Sequence, residues 1–279
     1  LPWPGPFSQA CGGAPPARLF PFCLPFDYNF LMHSDTVNQL LELNREFYQT
    51  FAPQFSATRQ RLQPGVHRII STLAPHARIL DLGCGNGQLA RSLQQQGFQG
   101  SYTGLDFSPQ LLAHTPDETD LPAGFRFGTA DLAQTGWENQ PLVQALAPYD
   151  YIFAFAVLHH LPGSELRRTT LRAARTLVGP DGQFIHSNWQ FLNSARLRAR
   201  ILPWAEVGLS DAQLEGGDYL LDWRAGGQGL RYVHHFSSQE LHALAAESGF
   251  RVCEEFLSDG EGGRLGLYQR LVISDGAGC

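Results

Sequence analysis

The stretch with the clearest chemical content is a glycine turn that follows an acid in an apolar run. Residues 78–82 have the pattern of a buried strand that contains Asp81, and the turn after it contains Gly83, Cys84, Gly85 and Gly87. Glycines let backbone N–H groups approach a ligand closely, because no Cβ stands in the way. The spacing differs from the G-x-G-x-x-G of dinucleotide-binding turns. Asp81 would repel a pyrophosphate but suits an ammonium group, so the turn favours a ligand with a cationic amino end.

Two further acids follow the next two predicted strands. Asp106 ends the second strand, and Asp131 follows the third. Ligands of such sheets bind at the carboxyl ends of parallel strands, so the three acids are expected at one edge. Asp106 could accept both hydroxyls of a ribose and Asp131 the amino group of an adenine, with Phe107 and Leu132 flanking the ring. Each aspartate alone could instead cap a helix, but three acids at successive strand ends favour a ligand site.

The elements that would position these acids alternate between strand and helix. The pattern predicts a doubly wound α/β fold with a seven-stranded sheet, whose strands lie at 78–82, 101–105, 124–128, 149–155, 183–187, 251–257 and 267–273. A turn cluster at 179–182 should separate a helix from the fifth strand. Apolar residues recur at helical spacing in residues 34–61, and Pro53 should divide this segment into two helices. The alternation of strand and helix patterns is interrupted at about 188–232. We interpret this segment as a cap insertion over the carboxyl edge of the sheet.

Composition restricts the chemistry. The chain has 279 residues and a net charge of −6, and its basic residues are all arginine, so a lysine nucleophile is excluded. Its five cysteines include no C-x-x-C pair, so no zinc or other metal site is predicted. No apolar run approaches the ~20 residues that cross a bilayer. Residues 1–33 are interpreted as an extension before a domain at 34–279, and they lack signal-peptide features. Because the cysteines indicate no disulfide framework, a reducing cytoplasm is the expected location.

The Asp-x-Gly-x-Gly-x-Gly turn resembles motif I of class I S-adenosylmethionine methyltransferases. The resemblance implies a Rossmann-like methyltransferase fold and S-adenosylmethionine as cofactor. The peptide after the fourth strand is expected beside the methyl donor. The residues expected to contact the cofactor are Asp81, Gly83, Cys84, Gly85, Gly87, Asp106, Phe107, Ala130, Asp131, Leu132, Ala154, Phe155, His159 and Tyr48. His159 and His160 could form a metal pair, but adjacent histidines on a turn rarely point the same way, so a lining role is preferred.

Further segments resemble the eukaryotic wobble-uridine tRNA carboxymethyl methyltransferases, which esterify a carboxymethyl group on the tRNA base. They cover residues 44–250 and include Phe-Tyr at 47–48, Phe-Ser-Ala-Thr-Arg at 55–59, Val-Leu-His-His-Leu at 157–161, Phe-Ile-His-Ser-Asn-Trp at 184–189, Gly-Asp-Tyr-Leu-Leu-Asp-Trp at 217–223 and Arg-Tyr-Val-His-His-Phe at 231–236. The sequence departs from that family at Gln63, where the family has tryptophan, and at 259–260 and 266–268. The family commonly works with a small zinc-ribbon activating subunit, so such a partner is a possibility here.

The implied chemistry needs an arginine more than a general base. A carboxylate is ionised at neutral pH and can accept a methyl group directly, so catalysis consists mainly of alignment and desolvation. Arginine forks can orient a carboxylate. Arg231 and Arg59 are the candidates, with Tyr232 and His234 shaping the pocket. The alternative for Arg231 is an ion pair with an acid such as Asp218.

Three functions compete on sequence alone. The first is methyl transfer to an oxygen of a carboxylate, possibly on a tRNA wobble uridine. The second is O- or N-methylation of a small molecule, with the tryptophan-rich cap as its pocket. The third is a catalytically silent partner subunit, which the intact acids and glycines argue against. A surface patch of Arg196, Arg198, Arg200, Arg224 and Arg231 would favour tRNA.

Overall fold

The computed structural model describes residues 31–58, 61–224 and 227–274. The strands are β1 Arg78–Leu82, β2 Ser101–Asp106, β3 Phe125–Thr129, β4 Tyr149–Phe155, β5 Val178–Trp189, β6 Ile201–Leu202, β7 Asp218–Trp223, β8 Gly229–His234, β9 Phe250–Ser258 and β10 Gly266–Ile273. The α-helices are α1 Ser34–Thr58, α2 Pro64–Ile70, α3 Gln88–Gln95, α4 Pro109–Leu112, α5 Pro141–Gln144, α6 Ser164–Leu177, α7 Ala195–Arg198 and α8 Ser238–Glu247. No helix among these residues combines the length and apolar character that a membrane span requires.

Seven strands form one mixed sheet in the order β3-β2-β1-β4-β5-β10-β9. The first five are parallel, and β10 runs antiparallel to both of its neighbours. The predicted doubly wound, Rossmann-like α/β fold is therefore confirmed. Its order reverses between β1 and β4, and this is where such sheets open a crevice for a ligand.

Both faces of the sheet are buried, and alternate residues of each central strand serve opposite faces. On β4, Ile152 and Ala154 pack in the cluster with α6 and α8, whereas Phe153 packs in the cluster with α2 and α3. The neighbouring β1 divides in the same way, with Leu80 in the first cluster and Ile79 in the second. This two-sided burial explains why the strands have nearly continuous apolar sequences.

Strand β5 begins earlier than the sequence predicts. The cluster at 179–182 is a bulge within the strand, because the pairing with β4 passes from Tyr149–Val178 to Tyr151–Gln183. A Cβ on Gly182 would lie 2.6 Å from the Tyr149 carbonyl oxygen, so glycine is needed for this close approach.

Helix α1 bends where the sequence predicts a division. Phe51 has non-helical angles (φ −107°, ψ 15°), and Pro53 follows two residues later. Proline removes one backbone N–H from the helical ladder and crowds the preceding turn, which explains the kink. Before the kink, the Asn44 side chain accepts a hydrogen bond from the Tyr232 N–H (2.9 Å) and donates one to the His160 carbonyl (3.2 Å). These bonds tie α1 to β8 and to the segment after β4.

The insertion after β5 forms a small antiparallel sheet of β6, β7 and β8. Its entry and exit lie together, because the Gln190 side chain donates a hydrogen bond to the Phe236 carbonyl (3.0 Å). We call the segment between these two residues the cap. It extends slightly beyond the predicted 188–232, since β8 continues to His234.

A buried polar cluster connects the cap to the core. Arg167 on α6 forms an ion pair with Glu215 of the cap, and their side chains are 1% and 11% exposed. Asp218 accepts hydrogen bonds from the Tyr232 hydroxyl (2.8 Å) and from His234 Nδ1 (2.7 Å). Burial and the nearby Arg167 act to lower the pKa of His234, but its hydrogen bonds to Asp218 and Glu240 outweigh them and raise it. The cap is thus attached through charge as well as through apolar contacts.

Candidate functional site

A cavity of about 440 Å³ opens at the carboxyl ends of β1, β2, β4 and β5. It is bordered by α1, by the cap and by the turn between β9 and β10. The sequence-predicted residues that line it are Tyr48, Asp81, Gly83, Cys84, Gly85, Asp106, Phe107, Ala130, Asp131, Leu132, Phe155, His159 and Arg231. The structure therefore brings residues from both halves of the chain to one site.

The glycine turn has the geometry that its spacing suggests. Gly83, Gly85 and Gly87 have φ of 71°, 57° and 72°, a region that residues with a Cβ rarely adopt. A Cβ on Gly83 would also lie 2.5 Å from Val157 Cγ2, whereas one on Gly85 would meet nothing within 4 Å. Gly85 thus leaves open space at the wall of the cavity. Gly87 is not among the lining residues and precedes α3.

Two buried acids lie beside this turn. Asp81 accepts a hydrogen bond from the Tyr102 hydroxyl (2.6 Å), and burial raises the pKa of its carboxyl to about 7. Asp106 accepts hydrogen bonds from the Gly85 and Ser108 N–H groups, both at 2.9 Å. Burial still raises the pKa of Asp106 to about 6. A cationic group near Asp81 would restore its charge, so the site suits a ligand that carries an ammonium group.

The third acid is held by a residue that the sequence reasoning missed. Arg45 Nη2 lies 2.6 Å from Asp131 Oδ2, and the Ala133 N–H donates to Oδ1 at 2.9 Å. Arg45 comes from α1, and its Nη1 contacts Glu42 at 3.2 Å. The available sequence signal was the spacing of Asn44, Arg45 and Tyr48, which puts polar groups on one side of a helix that also contributes to the core.

Tyr48 joins α1 to the segment after β4. Its hydroxyl lies 2.8 Å from His160 Nε2, and His160 Nδ1 lies 3.3 Å from the Tyr232 carbonyl oxygen. A carbonyl oxygen only accepts hydrogen bonds, so a neutral His160 donates from Nδ1 and accepts from Tyr48. His159 accepts instead from the Trp189 N–H (3.4 Å) at Nδ1. The adjacent histidines thus contact different neighbours.

Arg231, on β8 of the cap, contributes a positive charge to the wall of the cavity. Its guanidinium carbon lies 4.9 Å from the ring centre of Trp189 and 5.4 Å from those of Phe47 and Trp223. Aromatic faces attract a guanidinium and fix its plane. The residue is only 6% exposed and lines the cavity. The Asp218 carboxylate, the alternative partner from sequence, contacts Tyr232 and His234.

Four of the remaining predicted site residues are elsewhere or not described. The side chains of Tyr232 and His234 lie behind the cavity wall in the buried cluster, which corrects the expectation that they shape the pocket. Residues alternate between the faces of a strand, so β8 cannot direct Arg231, Tyr232 and His234 to one side. Ala154 is fully buried in the core beneath the cavity. Arg59 lies outside the described residues.

Several lining residues were not predicted. Ser187, two residues before the end of β5, accepts a hydrogen bond from the Ala156 N–H (3.1 Å), and Ala156 has a φ of 59°. Asp259 accepts from the Gly65 N–H (2.9 Å) and thus joins the β9–β10 turn to α2. Asn188 and Tyr268 complete this side. Asp259 and Tyr268 fall within the segments that depart from the wobble-uridine family.

Comparisons with known proteins identify the family of this chain. A family model described as a methyltransferase domain matches residues 55–255. A ubiquinone biosynthesis O-methyltransferase of Chromobacterium violaceum is 27% identical over 177 residues, which cover 62% of this chain and 63% of that protein. A tRNA (carboxymethyluridine(34)-5-O)-methyltransferase of Arabidopsis thaliana is 30% identical over 142 residues, covering 51% of this chain but only 31% of that protein.

Solved structures show the same fold. Magnesium protoporphyrin IX methyltransferase of Synechocystis PCC 6803, crystallised with S-adenosylhomocysteine, superposes with a TM-score of 0.58. The match covers 84% of this chain and 99% of that one at 18% identity. At this identity the likeness concerns the fold.

Proposed function

The chain belongs to the methyltransferase-domain family and is an S-adenosylmethionine-dependent methyltransferase; from this premise we propose that it methylates a carboxylate oxygen of a modified tRNA wobble uridine. The observation that carries the carboxylate is Arg231, a buried guanidinium that lines the cavity between three aromatic rings. Such a group suits an anion, and its flat fork matches the two oxygens of a carboxylate. The tRNA part is supported by the quoted sequence elements and by the Arabidopsis relative.

The residues around the cavity fit the cofactor. Asp81 suits its amino group, Asp106 its ribose hydroxyls, and Phe107 and Leu132 its adenine ring. S-Adenosylmethionine, when bound, supplies a methyl group on a sulfonium, which an ionised carboxylate can take without a general base. The role of this chain is then to orient the carboxylate with Arg231 and to keep water out with the aromatic walls.

A methyl-transfer assay tests the acceptor. The protein is incubated with tritiated S-adenosylmethionine and either total tRNA or a small-molecule extract. We expect label in tRNA that mild alkali releases, because an ester is labile to alkali. Label found in small molecules alone would reject the tRNA acceptor, and alkali-stable label in tRNA would reject the carboxylate. A parallel calorimetric titration with S-adenosylmethionine checks that the protein used is competent to bind the cofactor.

Cofactor affinity should fall as the pH is lowered below neutrality. The Asp81 carboxyl has a pKa of about 7, so it takes up a proton below that pH, whereas a bound ammonium group favours its ionised form. Binding therefore releases a proton, and affinity should decrease by about tenfold between pH 7.5 and about 6. Asp106, with a pKa of about 6, acts in the same direction at lower pH.

Two variants show which carboxyl causes this pH dependence. Tyr102→Phe removes a hydrogen bond that lowers the pKa of Asp81, so the midpoint should move to higher pH. Asp81→Asn should weaken cofactor binding, and the pH dependence that remains should be that of Asp106 alone. The measurement is calorimetry in buffers of different ionisation enthalpy. Wild-type affinity that stays constant from pH 8 to about 5.5 would show that neither carboxyl is coupled to the cofactor.

A further inference from the structure

The arginine patch that the sequence suggests in the cap is only partly available to a ligand. Arg231 is 6% exposed, Arg224 forms an ion pair, and Arg200 is half-buried. Arg196 and Arg198, both on α7, are exposed. Whether these two belong to a charged surface depends on what lies next to α7.

Helix α7 lies at the wall of the cavity. Leu197 is buried in an apolar cluster against which Trp189 and Leu265 also pack, and these two residues line the cavity. Arg196 and Arg198 flank Leu197 in the chain and are exposed, so their charges lie in solvent beside this wall.

The turn between β9 and β10 adds a third arginine. Arg264 is exposed and precedes Leu265. The Asn193 side chain donates a hydrogen bond to the Arg264 carbonyl (2.8 Å), and the Gln190 N–H donates one to the Leu265 carbonyl (2.8 Å). The turn is therefore attached to the segment that leads into α7, and the three arginines belong to one side of the cavity mouth.

A fourth arginine is connected to the same turn through α2. Arg61 is exposed and lines the cavity, three residues before α2 begins. The Gly65 N–H donates to the Asp259 carboxylate at 2.9 Å, which attaches α2 to this turn. We call the four exposed arginines the arginine rim, which consists of Arg61, Arg196, Arg198 and Arg264.

The arginine rim is not neutralised by acids. Within residues 31–58, 61–224 and 227–274, no carboxylate forms an ion pair with any of its four members. Arg68 and Arg78, by contrast, pair with Glu254 and Asp150. The opposing charge in the β9–β10 turn is the exposed Glu261.

The chemistry of the arginine rim favours a polyanion. A guanidinium matches the oxygens of a phosphate in two parallel hydrogen bonds, and several of them along one edge suit a chain of phosphates better than a single anion. The chain has a net charge of −6, so any attraction to a polyanion must come from a local surface of this kind.

We propose that the arginine rim binds the phosphate backbone of the RNA that carries the methyl acceptor. The identity of the acceptor rests on the proposed function. In this arrangement Arg231 holds the carboxylate of the base inside the cavity, while the arginine rim holds the neighbouring phosphates at its mouth. A free nucleoside meets the first group and not the second.

Binding measured as a function of salt concentration tests the proposal without any methyl transfer. The probe is a fluorescent anticodon stem-loop with 5-carboxymethyluridine at the wobble position, followed by anisotropy with S-adenosylhomocysteine present. Each phosphate contact contributes roughly 0.7–0.9 to the slope of log affinity against log salt. The combined substitution of Arg196, Arg198 and Arg264 by glutamine should lower that slope by about 2 and weaken binding about 10–100-fold at about 0.1 M salt. Arg61 is retained because it also lines the cavity.

Two single variants give the sign and the location of the effect. Glu261→Gln removes the opposing charge and should strengthen stem-loop binding by about two- to threefold. Arg172→Gln is the matched control for Arg264→Gln, because Arg172 is also exposed, donates to the Glu247 carbonyl from α6 and is not among the cavity-lining residues. Arg264→Gln should weaken binding about threefold or more, and Arg172→Gln by less than about 1.5-fold.

Kinetics separate the arginine rim from the cavity. For the stem-loop, the triple variant should raise KM by about 10–100-fold and leave kcat within about twofold, since saturating RNA replaces the lost attraction. For the free nucleoside 5-carboxymethyluridine, kcat/KM should change by less than about twofold, because this acceptor has no backbone. Equal losses for the two acceptors would point to a damaged cavity and would overturn the proposal.

The remaining outcomes distinguish the arginine rim from the proposed acceptor. Stem-loop binding that depends on the arginine rim, without methyl transfer to carboxymethyluridine, supports the RNA surface and rejects the acceptor group. Methyl transfer to the stem-loop with wild-type affinity and salt slope in the triple variant keeps the acceptor and overturns the surface. Absence of RNA binding, together with binding of phosphatidylserine vesicles that the triple variant loses, would assign the arginine rim to a membrane and overturn the proposal.

Discussion

Replacing Arg231 with methionine should lower kcat/KM for the carboxylate acceptor by about a thousandfold, while S-adenosylhomocysteine affinity changes by less than about twofold. Methionine preserves much of the packing against Trp189 and Phe47 but removes the charge that orients the carboxylate. Truncation of one member of a buried, hydrogen-bonded charge pair costs about 2–5 kcal/mol, which corresponds to this loss. Steady-state kinetics with a carboxymethyluridine stem-loop measures it.

Two other substitutions make the result specific. Arg231→Lys keeps the charge but not the planar fork or its stacking on aromatic rings, so an intermediate loss of about 10–100-fold is expected. Arg224→Met is the matched control, because Arg224 follows β7 of the same small sheet, is 68% exposed and pairs with Asp222. If Arg231→Met weakens cofactor binding and leaves turnover at saturating S-adenosylmethionine unchanged, the assignment to the acceptor is wrong.

The second large effect concerns stability. Arg167→Met should lower the free energy of unfolding by about 3–5 kcal/mol, since it leaves the buried Glu215 and Asp218 carboxylates without their nearby guanidinium. Urea titration of the wild-type and variant proteins measures this difference. The adjacent Arg168→Met is the control. Arg168 pairs with Glu165 and Glu247, which are 58% and 39% exposed, and its loss should cost less than about 1 kcal/mol.

A double substitution separates the ion pair from simple packing. Arg167→Met combined with Glu215→Leu should recover part of the lost stability, because the uncompensated carboxylate is removed as well. Equal losses for Arg167→Met and Arg168→Met would show that burial of this pair does not distinguish it energetically.

Local sequence was sufficient to predict that three acids lie at one edge of the sheet. Asp81 lies near the end of β1, Asp106 ends β2 and Asp131 follows β3, and parallel strands bring such positions together without any knowledge of packing. The glycine turn is equally local. By contrast, the contact of Arg45 with Asp131 spans 86 residues, and no short-range pattern specifies it. It depends on how α1 lies against the sheet, which follows from the packing of the whole domain.

The prediction that Tyr232 and His234 of the cap shape the pocket failed for a different reason. No strand is predicted from sequence at Arg231, Tyr232 and His234, so the alternation that puts Tyr232 and His234 on the side opposite to Arg231 becomes evident only with β8.

The hydrogen bond between Gln190 and Phe236 has a consequence for evolution and for engineering. Because it closes the base of the cap, the intervening segment is a cassette whose two ends are adjacent. Chimeras that exchange this cassette between related chains should inherit the walls that meet the acceptor and leave the glycine turn unaltered. The exchange requires matching residues outside the cassette. Arg167 on α6 must match the acid that the incoming cassette presents at the position of Glu215, and Asn44 on α1 must still meet the backbone of β8.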